Sequence, residues 1–324
     1  MPDGFGLRLP FFSSTDAADR QSIVVLRLVK IIKESRPDIL HTHSSIDSWL
    51  ASVIGKFLGV PIVRSRHISI PVKNIFPNTL IYSSFPERII TSGEAISEII
   101  SGLPGVAAET VVSIPAGVDL RRFDCRISGD GIRRKLNVEP DQPLVGKIGV
   151  VRGWKGHDYF LEAVPHVLEH CPKARFVIVG DGPGYDEVNA KMRAKGLETS
   201  LTMMGHREDV PEIMAALDVQ VMASIAGEGT PQVIPQAFAM KTPLVATPIG
   251  SIPDLLGHGE RGILVEPKSG KSLAEGILKI LNDPGLSGPM TESAYEYCRK
   301  HLTVNEMIDR TLSVYYEVLN SRAS

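Results

Sequence analysis

Two basic side chains follow an apolar run, KIGVV, in the segment Arg152-Gly153-Trp154-Lys155. We interpret the run as a parallel strand and the segment as the turn that leads into the next helix, where such sheets bind ligands. Arg152 offers a planar fork of N–H donors and Lys155 a point charge, and both suit a diphosphate. The segment therefore predicts neutralisation of a diphosphate leaving group without a metal ion. An ordinary solvated basic turn is the alternative.

A second glycine-rich segment, Gly227-Glu228-Gly229-Thr230, lies between the apolar run VQVMAS and the helical run VIPQAFAM. A turn of this kind at the start of a helix presents unpaired backbone N–H groups to an anion. The carboxylate of Glu228 would repel an anion, so a sugar hydroxyl is its better partner. An exposed acidic turn is the alternative interpretation. Gln236 follows two helical turns later.

Composition limits the function classes that remain. The formal net charge is −2, from 35 basic and 37 acidic residues, so the charge balance favours no nucleic-acid partner. The three cysteines are far apart, which indicates neither a disulfide framework nor a metal site and favours a reducing, cytoplasmic setting. There is no Asp-x-Asp pair to hold a metal on a nucleotide sugar. We expect no metal and no separate cofactor.

Helices and strands that could position these turns alternate along the chain, which predicts an α/β fold with two doubly wound, Rossmann-like parallel sheets. The predicted strands are 39–41, 62–66, 89–91, 111–114, 144–149, 175–179, 201–204, 219–222, 244–246 and 263–265, and the main predicted helices of the first half are 23–35, 46–58 and 94–101. We divide the chain into a first domain at 1–123, a ligand-binding domain at 124–284, and helices at 285–324 that pack back towards the first domain.

The first domain looks incomplete at its amino terminus. Its opening residues hold one candidate strand, GLRLPF, and no strand, glycine turn and helix in succession. The first strand of a doubly wound sheet is normally central, so we expect a segment to be missing, either absent from the protein or lost through a misplaced start.

Two other patterns are weaker. Gly180, Gly182 and Gly184 follow a strand, and the first two have the spacing of a dinucleotide fingerprint. Tyr185 stands where that fingerprint has its third glycine, which argues against a nicotinamide cofactor. The run VVLRLVKIIKES is apolar and basic. It could lie on an anionic membrane surface, although a core helix with snorkelling lysines is the favoured interpretation.

The ordered segments of the chain resemble the retaining GT-B glycosyltransferases of family four. The resemblance is carried by PDILHTHS, VPIVRSRH, IPAGVDLRRF, GWKGHDYFLEA, FVIVGDGP, MGHREDVPEIMAALDV, GEGTPQVIPQAFAMKTPLVATPIG and GILVEP. It implies that Arg152 and Lys155 contact the donor diphosphate and that Glu228 contacts the transferred sugar. Gln236 stands where the family has a second acidic residue that holds the ribose, and an amide there loses a charge-assisted hydrogen bond.

The resemblance also implies further site residues. His43 lies in a loop that lines the cleft from the acceptor side, and His67 ends the next strand on the same rim; strand capping is the alternative for both. At the donor, Gly153, Gly182, Arg207, Gly229 and Thr230 lie in the matching segments and are expected near the nucleotide.

The expected function is retaining transfer of a hexose or related sugar from a nucleoside diphosphate sugar to a hydroxyl of a glycan or glycolipid, in cell-envelope or lipopolysaccharide assembly. A nucleotide-sugar epimerase of the same fold and a nucleotide-sugar-binding protein without catalysis are the alternatives. We expect a cytoplasmic location, with contact at the inner membrane face left open.

Overall fold

A computed structural model of the chain describes residues 14–43, 45–72 and 79–323. Short β-branched runs form strands that are buried in two parallel sheets, and amphipathic segments between them form the covering helices. The α/β class predicted from this alternation is confirmed. The candidate strand GLRLPF lies outside the described residues.

The first sheet has four strands in the order β1-β2-β3-β4, all parallel. Within the described residues, β1 pairs with β2 alone. The strands are β1 Leu40–Thr42, β2 Ile62–Arg66, β3 Arg88–Thr91 and β4 Val111–Ser113, and the helices around them are α1 Ser14–Ser35, α2 Ser45–Leu58, α3 Leu80–Ser83 and α4 Glu94–Ser101.

The second sheet has six parallel strands in the order β10-β9-β8-β5-β6-β7, the doubly wound order in which the first strand is central. Its strands are β5 Leu144–Ile148, β6 Arg175–Val179, β7 Leu201–Gly205, β8 Val219–Met222, β9 Leu244–Ala246 and β10 Ile263–Leu264. Its helices are α5 Asp130–Lys135, α6 His157–His170, α7 Tyr185–Ala194, α8 Val210–Ala216, α9 Val233–Ala239, α10 Ile252–Leu255 and α11 Gly270–Asn282.

Two long helices follow, α12 Pro284–His301 and α13 Val304–Ala323. Helix α12 packs against α9, and its Ala294 and Cys298 belong to a hydrophobic cluster of the second sheet. Helix α13 instead places Val314 and Val318 against β2 and β3 of the first sheet. Of the two helices, therefore, α13 is the one that returns to the first sheet.

The chain crosses between the sheets beside the start of α13. Val118 forms a parallel bridge with Thr303, and the Val118 N–H donates to the Leu302 carbonyl at 2.8 Å. A Cβ on Gly117 would lie 2.5 Å from the Thr303 carbonyl oxygen, so glycine permits this close approach. The two chain segments that connect the sheets are thus held side by side.

Candidate functional site

The carboxyl ends of the strands in the second sheet carry the predicted polar turns. The turn after β5 begins with Gly149 and contains a single turn of 3-10 helix, Gly153–Lys155. Gly156, which follows it, has φ +68°, and a Cβ there would overlap the Ala223 carbonyl oxygen after β8. The turn after β5 is therefore pressed against the loop after β8, and this contact brings Lys155 to Glu228.

Lys155 and Glu228 form an ion pair. The Lys155 ammonium donates to Glu228 Oε1 at 2.6 Å, and the Ser224 hydroxyl donates to the same oxygen at 2.6 Å. The side chains are 22% and 7% exposed, respectively. Oε2 of Glu228 has no hydrogen-bond partner among the described residues, so one carboxylate oxygen is left to accept a bond from a ligand hydroxyl.

A cavity of about 290 Å³ opens beside this pair. Lys155, Ser224 and Gln236 line it, together with the backbone of Gly149 at the end of β5. The amide of Gln236 points from α9 and makes no hydrogen bond to another described residue. The cavity thus gathers a cation, a hydroxyl and an amide at the carboxyl edge of the sheet.

Two buried basic residues of the cavity wall were not among the predicted site residues. Lys147, on β5, is 4% exposed, and His157, at the start of α6, is 3% exposed. Burial, and after it the charge of Lys155, lowers the pKa of Lys147 to about 7, against the opposing effect of Glu228. Burial, followed by the charge of Lys147, lowers the pKa of His157 to about 3.

The other predicted donor residues lie outside the cavity wall. The guanidinium carbon of Arg152 is 5.3 Å from the ring centre of Trp154, and Arg152 is exposed. Arg207 makes an ion pair with Asp209, with Nε donating to Oδ1 at 2.8 Å. A Cβ on Gly182 would lie 2.6 Å from the Val151 carbonyl oxygen, so this glycine lets the loop after β6 pack on the turn after β5. At Gly153 a Cβ would meet open space.

Gly229 and Thr230 connect the two sheets. A Cβ on Gly229 would overlap the His67 carbonyl oxygen at the end of β2, and the Thr230 hydroxyl donates to the Ser92 carbonyl after β3. The loop that carries Glu228 therefore touches the first sheet directly, and the predicted acceptor side and donor side share one cleft.

Three histidines lie on the first-sheet side of this cleft. His43 Nδ1 is 3.1 Å from His67 Nε2, and the two rings are stacked with their centroids 5.4 Å apart. The His41 ring lies 4.2 Å from that of His43, with Nδ1 2.5 Å from the Tyr315 hydroxyl of α13 and Nε2 2.8 Å from Ser65 Oγ. Burial, then the neighbouring imidazoles, lowers the pKa of His41 to about 4.

The pKa of His67 is lowered for the same reasons: first its partial burial, then the charge of His43. The structure thus brings His43 and His67 together as neighbours across β1 and β2. It brings Lys155, Glu228 and Gln236 together around the cavity, whereas Arg152 and Arg207 stand apart from it.

Neither a metal site nor a membrane span is found in the part of the chain that the structure describes. No group of three or more His, Cys, Asp or Glu side chains there is arranged to hold a metal ion. None of the described helices has the length and apolarity needed to cross a bilayer.

Known proteins resemble the chain over both sheets. Residues 3–122 match the family described as Glycosyltransferase Family 4, and residues 142–283 match Glycosyl transferases group 1. The UDP-Gal:alpha-D-GlcNAc-diphosphoundecaprenol alpha-1,3-galactosyltransferase of Escherichia coli is 25% identical over 308 residues, which are 91% of this chain and 79% of that protein.

Two solved structures share the fold. A glycosyltransferase from Rickettsia africae superposes with a TM-score of 0.84 at 20% identity, over 96% of this chain and 84% of that one. The Anabaena protein HepE, in complex with UDP, gives a TM-score of 0.80 at 23% identity, over 89% and 81% of the two chains. Because the matched ranges take in both sheets and the solved structures share their arrangement, this chain belongs to the GT-B glycosyltransferases of family four.

Proposed function

We propose that this glycosyltransferase takes a hexose from a UDP-sugar, without a metal ion or other cofactor, and transfers it with retention of anomeric configuration. The observation that carries the proposal is the Lys155–Glu228 pair beside the cavity at the carboxyl edge of the second sheet. A UDP complex of HepE and the UDP-galactose donor named for the Escherichia coli relative support uracil as the base.

Four residues in or near the cavity have a proposed role. Lys155 stabilises the charge that develops on the leaving diphosphate, which is the kind of electrostatic stabilisation that lowers such barriers most. Glu228 accepts a hydrogen bond from a hydroxyl of the transferred sugar at Oε2, and Gln236 binds the ribose. Arg152 adds a second positive charge at the diphosphate.

Retention is proposed to proceed by front-face attack without a protein nucleophile. Oε1 of Glu228 already accepts hydrogen bonds from Lys155 and Ser224. Oε2 is assigned to a hydroxyl of the transferred sugar, so in this proposal neither oxygen of Glu228 is left to attack the anomeric carbon. The acceptor hydroxyl enters from the side of His43 and His67, across the contact that Gly229 makes with the first sheet.

The acceptor is proposed to be a glycan or glycolipid of cell-envelope assembly, since the Escherichia coli relative is named for a lipid-linked acceptor. A lipid-linked acceptor would require the protein to contact the inner face of the membrane. Helix α1 exposes Leu26 and Ile31, at 68% and 59%, close in sequence to Lys30 and Lys33. Sedimentation with vesicles that contain anionic phospholipid tests this contact, and absence of binding at low salt would contradict it.

Donor binding is tested by calorimetry with UDP, GDP and ADP in the presence of a metal chelator. We expect UDP to bind, and Lys155→Met to weaken it by about 10- to 100-fold, the usual range for one charged hydrogen bond. Lys191→Met is the matched control, because Lys191 pairs with Asp158 on the surface. Unchanged affinity in Arg152→Ala would remove Arg152 from the site.

Transfer itself is tested with UDP-galactose, UDP-glucose and a lipid-linked N-acetylglucosamine acceptor, and NMR of the product reports the anomeric configuration. An inverted product would contradict the proposed mechanism. Recovery of a sugar nucleotide of altered configuration, without transfer, would indicate an epimerase instead. UDP binding without transfer or hydrolysis on any acceptor tried would favour a binding protein.

A further inference from the structure

Lys147 is a buried cation that the proposed roles leave unused. It lies on β5, one of the two central strands of the second sheet, and it is among the residues that line the cavity. Only 4% of the residue is exposed. A lysine is seldom buried to this degree without a partner. Yet the side-chain amine of Lys147 forms no hydrogen bond or ion pair with another residue that the structure describes.

The charged and titratable groups around Lys147 come from four parts of the chain. Lys155 lies in the turn after β5, His157 at the start of α6, and Glu228 in the loop after β8, while Arg122 lines the cavity from the connecting segment. Glu228 is the one carboxylate in this set, and Lys155 and Ser224 already bind it. The surroundings are therefore short of negative charge.

We propose that Lys147 contacts the diphosphate of the donor from the floor of the cavity, and that it takes up a proton when this anion enters. The inference rests on the proposed donor site and adds to it a buried amine whose charged form the bound anion favours. A diphosphate in the cavity that Lys147 and Lys155 both line would supply the missing negative charge. Lys147 then shares with Lys155 the neutralisation of the leaving group.

The direction of the proton follows from the surroundings of the amine. Without a bound anion, the pKa of Lys147 is about 7. At pH 8 the amine is therefore about 90% neutral, by the usual titration relation. A diphosphate beside it favours the charged form and raises the pKa, so a proton is taken up on binding. Neutral His157, whose pKa is about 3, stays neutral at this pH.

The test is calorimetry of UDP with the whole chain at pH 8, repeated in buffers of different ionisation enthalpy. The diphosphate of UDP is already ionised at pH 8, so any proton taken up on binding is taken up by the protein. We expect about one proton per UDP bound, and none with uridine, which lacks the diphosphate. From pH 7.5 to 9 we expect UDP affinity to fall by up to about tenfold per pH unit, because deprotonated Lys147 must be recharged.

Lys147→Met is expected to bind UDP at least tenfold more weakly, without proton uptake and with a flat pH profile. Lys191→Met should retain both properties. UDP binding by the native chain without proton uptake and with a flat pH profile would overturn this inference and leave the proposed donor site intact. This readout needs no variant and does not depend on how Lys147→Met folds. Failure of the folded native chain to bind any nucleoside diphosphate would overturn both.

Discussion

Glu228 combines two tasks in one carboxylate. Oε1 accepts hydrogen bonds from Lys155 and Ser224, and Oε2 is left to accept one from a ligand. The side chain is 7% exposed. Removing one member of a buried ion pair leaves the other charge unpaired, which is costly. Glu228→Gln keeps the size and shape of the side chain and removes its charge. It therefore tests the role of the charge separately from that of the shape.

We expect Glu228→Gln to lower the rate of sugar transfer by about 10²- to 10³-fold, the range typical for a lost charge-stabilising contact. UDP lacks the sugar that Glu228 is proposed to bind, so its affinity should change by less than the rate does. Steady-state transfer kinetics and UDP calorimetry measure the two effects. Glu198→Gln, at a 57% exposed carboxylate, is the control. Equal losses of rate and UDP affinity would contradict the assignment to the sugar.

His41 predicts a dependence of stability on pH. Its folded pKa is about 4, against 6.5 in the unfolded chain. Between these values the unfolded state binds more protons, so the free energy of unfolding falls as pH decreases from 6.5 towards 4. Urea denaturation at pH 7, 6, 5 and 4 measures this slope. His41→Asn should make the slope shallower, and an identical slope in the variant would exclude His41 as its source.

Which site residues could be predicted depended on where their signal lay. Lys155 and Glu228 sit in glycine-rich turns after apolar runs, a pattern that can be recognised in a sequence. Lys147 lies inside the run LVGKIGVV, where a lysine is easily interpreted as snorkelling from a core strand. That it reaches a cavity depends on β8 and α9 beside it. Arg152 is predicted to contact the donor diphosphate; in the structure its guanidinium lies towards Trp154, in a rotamer that no sequence pattern specifies.

At the scale of elements, the predicted bounds agreed best with the structure for strands that consist of a single buried apolar run. β2, β6, β8, β9 and helix α4 have the predicted bounds. Helix α1 begins at Ser14, nine residues before the predicted start at 23. The residues before Ile23 are mostly polar or small, so apolar spacing gives no signal for that first part of the helix. Contacts between turns, such as Gly156 against Ala223, join residues far apart in sequence and could not be predicted from local pattern.

The turn between β5 and α6 depends on glycine at one position and tolerates a side chain at another. We expect Gly156→Ala to lower the free energy of unfolding of the second sheet by about 2–4 kcal/mol, because φ is +68° and the new Cβ would overlap the Ala223 carbonyl. Gly153→Ala, three residues earlier, places its Cβ in open space and should change stability by less than about 1 kcal/mol. Urea denaturation compares them, and equal losses would contradict this account.

At the scale of the whole molecule, the first sheet is completed by a helix that follows the second. Val314 and Val318 of α13 are 4% and 2% exposed and pack with Val63 and Ile90. Further along the same helix, Arg322 donates to the Gly59 carbonyl at 2.5 Å. The two sheets are therefore coupled by the chain itself, in addition to the contact made by Gly229 and Thr230.

We expect Val314→Ala to destabilise the first sheet by about 1–3 kcal/mol, through lost burial and a small cavity. Leu312→Ala, on the same helix but 41% exposed, should cost less than about 1 kcal/mol. Hydrogen exchange at the amides of β2 and β3, the strands that Val314 packs against, measures this loss of stability. Faster exchange confined to the second sheet would contradict the packing described.

The return of α13 has a consequence for synthesis on the ribosome. Residues 40–113 emerge early and can pair their four strands, but the apolar face formed by Val63, Ile90 and Ile114 stays uncovered until the chain beyond Val304 has been made. Almost two hundred residues separate Ser113 from that helix. The second sheet can fold during this interval. The first sheet is therefore synthesised first, but its packing is completed last. A nascent chain paused before α13 would therefore expose this apolar face to water.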